Sequence, residues 1–142
     1  MSMTNYQYPV PAADPDSSGF WDGAKVHELR IQRCMSCQRF RHPPRRSCPN
    51  CHSEATEWVT MSGRGKVYSS IEVYQPVLRM WQSDVPYNIV EIELEDAPGI
   101  IITGNVVESD KEYVAVGTLV QVVFDDVTSE ITLPRWQKRL PQ

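Results

Sequence analysis

Apolar and polar positions alternate with a period of two through much of the chain. The clearest run is 87–94, where Val90, Ile92 and Leu94 share one side and Ile89, Glu91 and Glu93 the other. That pattern predicts a half-buried strand. Similar but shorter runs predict strands around Trp58 and Val59, over 67–73 (VYSSIEV), 100–107 and 119–124, with a short last strand at 131–133. Gly63-Arg64-Gly65 and Asp96-Ala97-Pro98-Gly99 read as turns between them. Five or six short strands in roughly 85 residues predict a small closed barrel. The tail RWQKRLPQ reads as loose apart from Trp136.

The first third has a different rhythm. Residues 1–15 lack a period and read as an extended arm. Asp16, Ser17 or Ser18 can cap a short helix, since a side-chain oxygen there can accept a free backbone N–H. Phe20, Trp21 and Ala24 form its apolar side. From His27 to Arg33, Leu29 and Ile31 alternate with Arg30 and Gln32, a strand that runs straight into Cys34. The expected organisation is mainly β: arm and helix over 1–26, a small segment over 27–55, and barrel with tail over 56–142.

A segment as small as 27–55 needs a staple, because its few apolar residues cannot offset chain entropy. The cysteines supply one. All four fall in this segment, as Cys34-x-x-Cys37, ten intervening residues, and Cys48-x-x-Cys51. Each CxxC turn aims two sulfurs at one point, and four thiolates suit a tetrahedral zinc ion. Such a site can supply on the order of 10 kcal/mol of folding free energy. The competing readings are two disulfides or a redox pair. The N-terminus has no basic stretch followed by an apolar one, so no secretory signal is expected and the cytoplasm is the default location. Disulfides are rare there, which favours zinc. With all four positions taken by sulfur, no site is left for a catalytic water. No apolar run approaches the roughly 20 residues of a membrane span, and no membrane partner is expected.

Charge divides the chain. From Lys25 to Arg46 there are seven Lys or Arg and one acid, Glu28; from Asp84 to Glu130 there are eleven Asp or Glu and one base, Lys111. Arg39, Arg41, Arg45 and Arg46 lie between the two cysteine pairs, with Pro43 and Pro44 to stiffen the loop. One reading is that they only compensate the net charge of about −2 on a four-thiolate zinc site. The other is an anion site, since guanidinium forks match phosphate. Its ligand would be nucleic acid or a phosphorylated cofactor such as coenzyme A. Glu91, Glu93, Glu95, Asp96, Glu108, Asp110, Glu112, Asp125 and Asp126 would repel a phosphate backbone along the barrel, so nucleic acid is the weaker alternative.

The chain shows no catalytic constellation. Of its three histidines, His52 follows Cys51 and reads as solvated or beside the metal site, His42 reads as polar loop surface, and His27 has no assigned role. No cysteine is spare, no GxSxG elbow is present, and Gly63-Arg64-Gly65 lacks the strand–turn–helix setting of a nucleotide loop.

The run FWDGAKVHELRIQRCMSCQRFRHPPRRSCPNCHS, then EWVTMSGRGKVYS, PYNIVEIELED and VQVVFDDV, resembles the acyl-CoA-associated zinc-ribbon and OB-fold proteins, long catalogued as a domain of unknown function. The likeness extends from about Phe20 to Trp136. It rests on Phe20-Trp21, the approach from Leu29 to Cys34, the Pro-Pro-Arg between the cysteine pairs, the CPxC pair and Ser62-Gly63-Arg64-Gly65, in that order. Gln38 departs from the glycine usual after the first pair, and Ala97-Pro98-Gly99 from a more basic turn. The resemblance implies an N-terminal helix, a rubredoxin-like zinc ribbon and a C-terminal OB-fold barrel. It also implies an accessory subunit beside a thiolase-like enzyme, helping to bind acyl-CoA while the partner holds most catalytic residues. Such pairs make carbon–carbon bonds or break them, including aldolases that shorten sterol side-chain CoA esters. On that footing Arg41, Arg45, Arg46 and Arg64 are candidates for the CoA phosphates. Phe20, Trp21, Met80 and Trp81 are candidates for the partner interface. Met80 and Trp81 have a second reading, packing on the end of the barrel. An assembly factor that binds the partner but no ligand is a further possibility.

Overall fold

The computed structural model describes residues 6–108 and 113–140. Asp110, Lys111, Glu112 and Pro141, which entered the charge and tail readings above, lie outside them. A helix α1 (Ser18–Lys25) precedes two sheets. The first has the order β2-β1-β3, from β1 (Arg30–Cys34), β2 (Phe40–Arg41) and β3 (Thr56–Thr60). The second has the order β6-β5-β4-β7-β8, from β4 (Arg64–Val73), β5 (Tyr87–Leu94), β6 (Ile101–Gly104), β7 (Leu119–Asp126) and β8 (Thr132–Lys138). All ladders are antiparallel.

The second sheet curls until its edges meet. Val106 forms a parallel bridge with Trp136. The Val107 N–H donates to the Trp136 carbonyl at 2.7 Å, and the Trp136 N–H to Asn105 at 3.0 Å. This closes a five-stranded OB-fold barrel around Val67, Val90, Ile92, Leu94, Ile102, Val120 and Trp136. On β5 the burial alternates in register with the sequence, with Asn88, Val90, Ile92 and Leu94 inside. Gly65 is dictated by packing: a Cβ there would strike Ile92 and the Glu93 carbonyl.

Four expectations are corrected. β8 does not stop at 133 but continues to Lys138, and the tail expected to be loose is a full strand. Gln137 and Lys138 are exposed, while Trp136, with 0% exposure, fills the barrel. β3 belongs with the ribbon rather than the barrel, pairing Val59 with Ile31 along β1. Ser17 precedes α1 without capping it through its side chain. Its Oγ accepts the Asp14 N–H, and the Asp14 carboxylate accepts the Ser17 N–H at 2.8 Å, so the serine is committed backwards along the chain. Finally, Phe20 is not offered to a partner. At 7% exposure it lies in this chain's own core, edge-on to the half-buried Trp21.

Helix α1 packs against β1 and β3 on one side and β8 on the other. Gly19 permits this, because a Cβ there would overlap the Trp58 indole. Two turns of 3₁₀ helix (Arg79–Asp84) carry Met80 and Trp81. Among the described residues no helix is long and apolar enough to cross a membrane.

Candidate zinc centre and arginine loop

β1 delivers Cys34 at its C-terminal end, and the chain then makes two matching turns. In the first, the Gln38 N–H returns to the Cys34 carbonyl at 2.9 Å; in the second, the His52 N–H returns to Cys48 at 2.8 Å. Gln38 and His52 both take left-handed backbone, with φ 66° and 67°. A side-chain-bearing residue there loses about 1–2 kcal/mol relative to right-handed backbone. Gln38, the departure from glycine, recovers part of this by donating from Nε2 to the Met35 carbonyl at 2.9 Å.

The four Sγ atoms lie within 4.8 Å of one another. Cys34 and Cys51 are 3.5 Å apart, and Cys37 and Cys48 3.6 Å. A tetrahedron with zinc–sulfur bonds of about 2.3 Å has sulfur–sulfur edges of about 3.8 Å, whereas a disulfide requires about 2.05 Å. The separations fit the metal and exclude the bond. Backbone N–H groups of Ser36 and Cys37 reach the Cys34 sulfur at 3.4 Å, and that of Asn50 reaches Cys48. The Cys37 N–H is the main reason the Cys34 thiol is drawn down to about 6, and the Cys51 N–H lowers Cys48 likewise. At Cys51 the Ser53 N–H favours the thiolate, but the neighbouring sulfurs and burial outweigh it and push the thiol up to about 11. Four thiolates this close need a cation among them. Zinc held by Cys34, Cys37, Cys48 and Cys51 would offset half of the cluster's negative charge, and its closed shell would make it a structural centre.

The arginines separate into three groups. Arg41, at 6% exposure, donates from Nη2 to the Arg45 carbonyl at 3.0 Å. Its Nε and Nη1 have no hydrogen-bond partner among the described residues. The buried Gln32 side chain accepts the Arg45 N–H at 2.8 Å. Arg41 and Gln32 therefore clamp the loop from opposite sides, and Arg41 itself is not at the surface. Arg46 pairs with Glu54 at 3.0 Å, and Arg64 with Glu95 at 2.8 Å on the barrel, away from the ribbon loop. Arg39 and Arg45 are exposed and have no ion pair among the described residues. A cavity of about 280 Å³ beside the cysteines is lined by Arg39, Phe40, Arg41, Cys48, Pro49 and Asn50.

The histidines do not converge. His42 packs against Phe20 at 5.3 Å, and burial lowers its pKa. His27 meets Asp126 at 3.0 Å, and His52 is exposed on its turn. Trp81 stacks on Tyr8 at 4.2 Å and leans on Tyr87, while Met80 remains exposed. Sequence reasoning missed the roles of Gln32 and Tyr8. No local signal marks either, since each acts on a segment far along the chain.

Comparison with known proteins matches two family descriptions end to end. Residues 21–57 match the ChsH2 rubredoxin-like zinc ribbon domain, and residues 58–125 the ChsH2 C-terminal OB-fold domain. A solved structure, described as "Ltp2-ChsH2(DUF35) aldolase", is 31% identical, with a TM-score of 0.78 over 92% of this chain and 100% of that one. The chain belongs to the ChsH2 (DUF35) family. It is also similar to a probable enoyl-CoA hydratase alpha subunit of Thermomonospora curvata, 32% identical over 94% of this chain and 41% of that protein. A third relative is the benzoylsuccinyl-CoA thiolase subunit BbsA of Thauera aromatica, 35% identical over 50% of this chain and 54% of that protein. The chain thus spans less than half the length of the hydratase subunit. In this ChsH2-family chain the ribbon match carries the zinc assignment, and the cysteine geometry agrees with it.

Proposed function

We propose that this chain is an accessory subunit of a thiolase-like acyl-CoA enzyme that makes or cleaves carbon–carbon bonds, with a steroid side-chain CoA ester among the candidate substrates. The observation that carries the proposal is the unbroken match to the ChsH2 ribbon and barrel, in a family whose named relatives include subunits of CoA-ester enzymes. The ribbon suits the anionic end of the substrate. Arg39 lines the cavity, and Arg45 is exposed on a loop held by Arg41 and Gln32; neither has an ion pair among the described residues. A loop ordered before binding loses less entropy on taking up ligand. Arg46 and Arg64 can add charge only by leaving Glu54 and Glu95. Exposed ion pairs are worth at most about 1 kcal/mol, so that exchange is easy. Zinc supplies stability to this arrangement and no chemical step.

The test is co-expression with a thiolase-like protein encoded beside this chain, followed by titration of the purified complex with acyl-CoA. Arg45→Glu should weaken acyl-CoA binding by about tenfold or more while the complex stays intact. Unchanged affinity rejects the arginine assignment alone. A wild-type chain that stays monomeric and binds single-stranded DNA at physiological salt rejects the subunit reading.

A further inference from the structure

We infer that residues 68–73 of β4 form an open sheet edge that receives a β-strand from the partner subunit. This rests on the subunit reading above and names the surface involved. β4 is ten residues long, but β7 pairs only with Arg64, Gly65 and Lys66. Val67 still exchanges hydrogen bonds with Gly117 and Thr118. Beyond it, residues 69–73 pair with β5 on one side, and among the described residues no strand pairs with 68–73 on the other. The remaining barrel edges, β6 and β8, close on each other through Val106 and Trp136.

An open edge is a liability that proteins guard with Lys, Pro, bulges or very short strands. Here the edge is only lightly guarded. The stretch Tyr-Ser-Ser-Ile-Glu-Val has no Lys and no Pro. Its one charge, Glu72, already accepts a hydrogen bond from Tyr74. The bulge at Val67/Ser69 stands where the strand leaves β7, at the start of the free stretch. The outer face is also apolar where a solvated barrel would be polar. Ile71 lies opposite Ile89 and Val73 opposite Tyr87. Tyr68 is 60% exposed, Ile71 54% and Val77 100%, and Tyr74, Leu78 and Met80 continue the surface. Backbone groups along the edge would supply affinity, and the flanking apolar side chains would select alternate residues of the incoming strand.

Charge selects the occupant. Glu91 lies opposite Ser69 on this face, and Glu72 lies in the edge strand itself. A second copy would bring two acidic rims together, whereas a strand with alternate apolar residues and flanking Lys or Arg would find complementary charge. The occupant is therefore such a strand of the enzyme subunit.

The experiment compares amide hydrogen exchange in the free chain and in the complex with the co-expressed thiolase-like protein. Ile71→Lys and a distant control, Leu140→Lys, are carried alongside. Exchange across 68–73 should slow by at least about tenfold in the complex. Ile71→Lys should reduce co-purification while keeping zinc and thermal stability, and Leu140→Lys should not. If the wild-type complex forms without protection of 68–73, this edge is not the docking site and the subunit reading survives. If the wild-type chain never co-purifies, both fall. If the free chain is a dimer that Ile71→Lys dissociates, the occupant is a second copy and the assignment to the enzyme subunit is overturned.

Discussion

Replacing Trp136 by alanine tests the least expected part of the fold, the closure of the barrel by its C-terminal strand. The side chain is fully buried. A buried tryptophan withdraws about 150–250 Å² from water. At about 25 cal/mol per Å² this is roughly 4–6 kcal/mol, an upper bound that a compact unfolded chain reduces by about a quarter. The indole Nε1–H has no acceptor among the described residues, so its removal returns about 1 kcal/mol. The expected net loss is about 3 kcal/mol, or roughly 10 °C in Tm. The closing hydrogen bonds come from backbone atoms, so the variant should still fold. Trp136→Phe keeps most of the apolar area and loses the orphaned donor, and should cost about 1 kcal/mol.

Gly104 supplies a second reading of the same contact. A Cβ there would lie 3.1 Å from the Trp136 Nε1. Gly104→Ala should therefore destabilise the parent, and do so less in the Trp136→Ala background, with a coupling of at least about 0.5 kcal/mol. Thermal unfolding followed by near-ultraviolet circular dichroism gives all four corners of the cycle. A loss below about 1 kcal/mol for Trp136→Ala, with no coupling to Gly104, would refute the closure.

Three further outcomes are expected. Cys48→Ser should abolish zinc binding and expose the ribbon to protease; one full zinc per chain by elemental analysis would contradict the assignment. His52→Gly should stabilise the zinc-bound chain by about 0.5–1 kcal/mol, because it relieves left-handed strain for which no side-chain hydrogen bond among the described residues compensates, whereas Gln38→Gly should be nearly neutral through loss of the bond to Met35. Equal effects in thermal melts would show that the glutamine amide contributes nothing. Burial lowers the His42 pKa, so the unfolded chain takes up a proton there before the folded one does. Stability from this group is complete above its unfolded value of about 6.5 and falls as pH drops below it. His42→Gln should flatten that acid-side slope in urea titrations, and a slope identical to the parent would remove His42 as its source.

The zinc site was legible in the sequence because its geometry is local. Two CxxC turns carry their own hydrogen-bond pattern, and the spacing alone predicts the cluster. The β5 alternation was legible for the same reason. β8 was not, since Pro134, Arg135, Gln137 and Lys138 hide one buried tryptophan, and only pairing with β7 turns them into a strand. The sheet to which β3 belongs, and the burial of Phe20, depend on contacts that the sequence pattern does not encode. The arginine loop lies between these cases. Its charge is plain in the sequence, but the charges left available are decided by Glu54, Glu95 and Gln32 from other elements.

That last distinction changes what the metal does for the proposed function. Zinc fixes both ends of the loop, at Cys37 and Cys48, but ten residues between two fixed points can still sample many conformations. The Gln32 amide and the Arg41 guanidinium remove that freedom by holding Arg45 through both its N–H and its carbonyl. Both clamps are buried, where unmade hydrogen bonds are expensive. The sequence cluster of four arginines thus divides its labour: Arg41 holds the loop, Arg46 is tied to Glu54, and Arg39, which lines the cavity, and the exposed Arg45 are left as available cations. A metal centre with no open coordination position can serve ligand binding in this indirect way, by making a short basic loop rigid enough to present its free charges in a fixed arrangement.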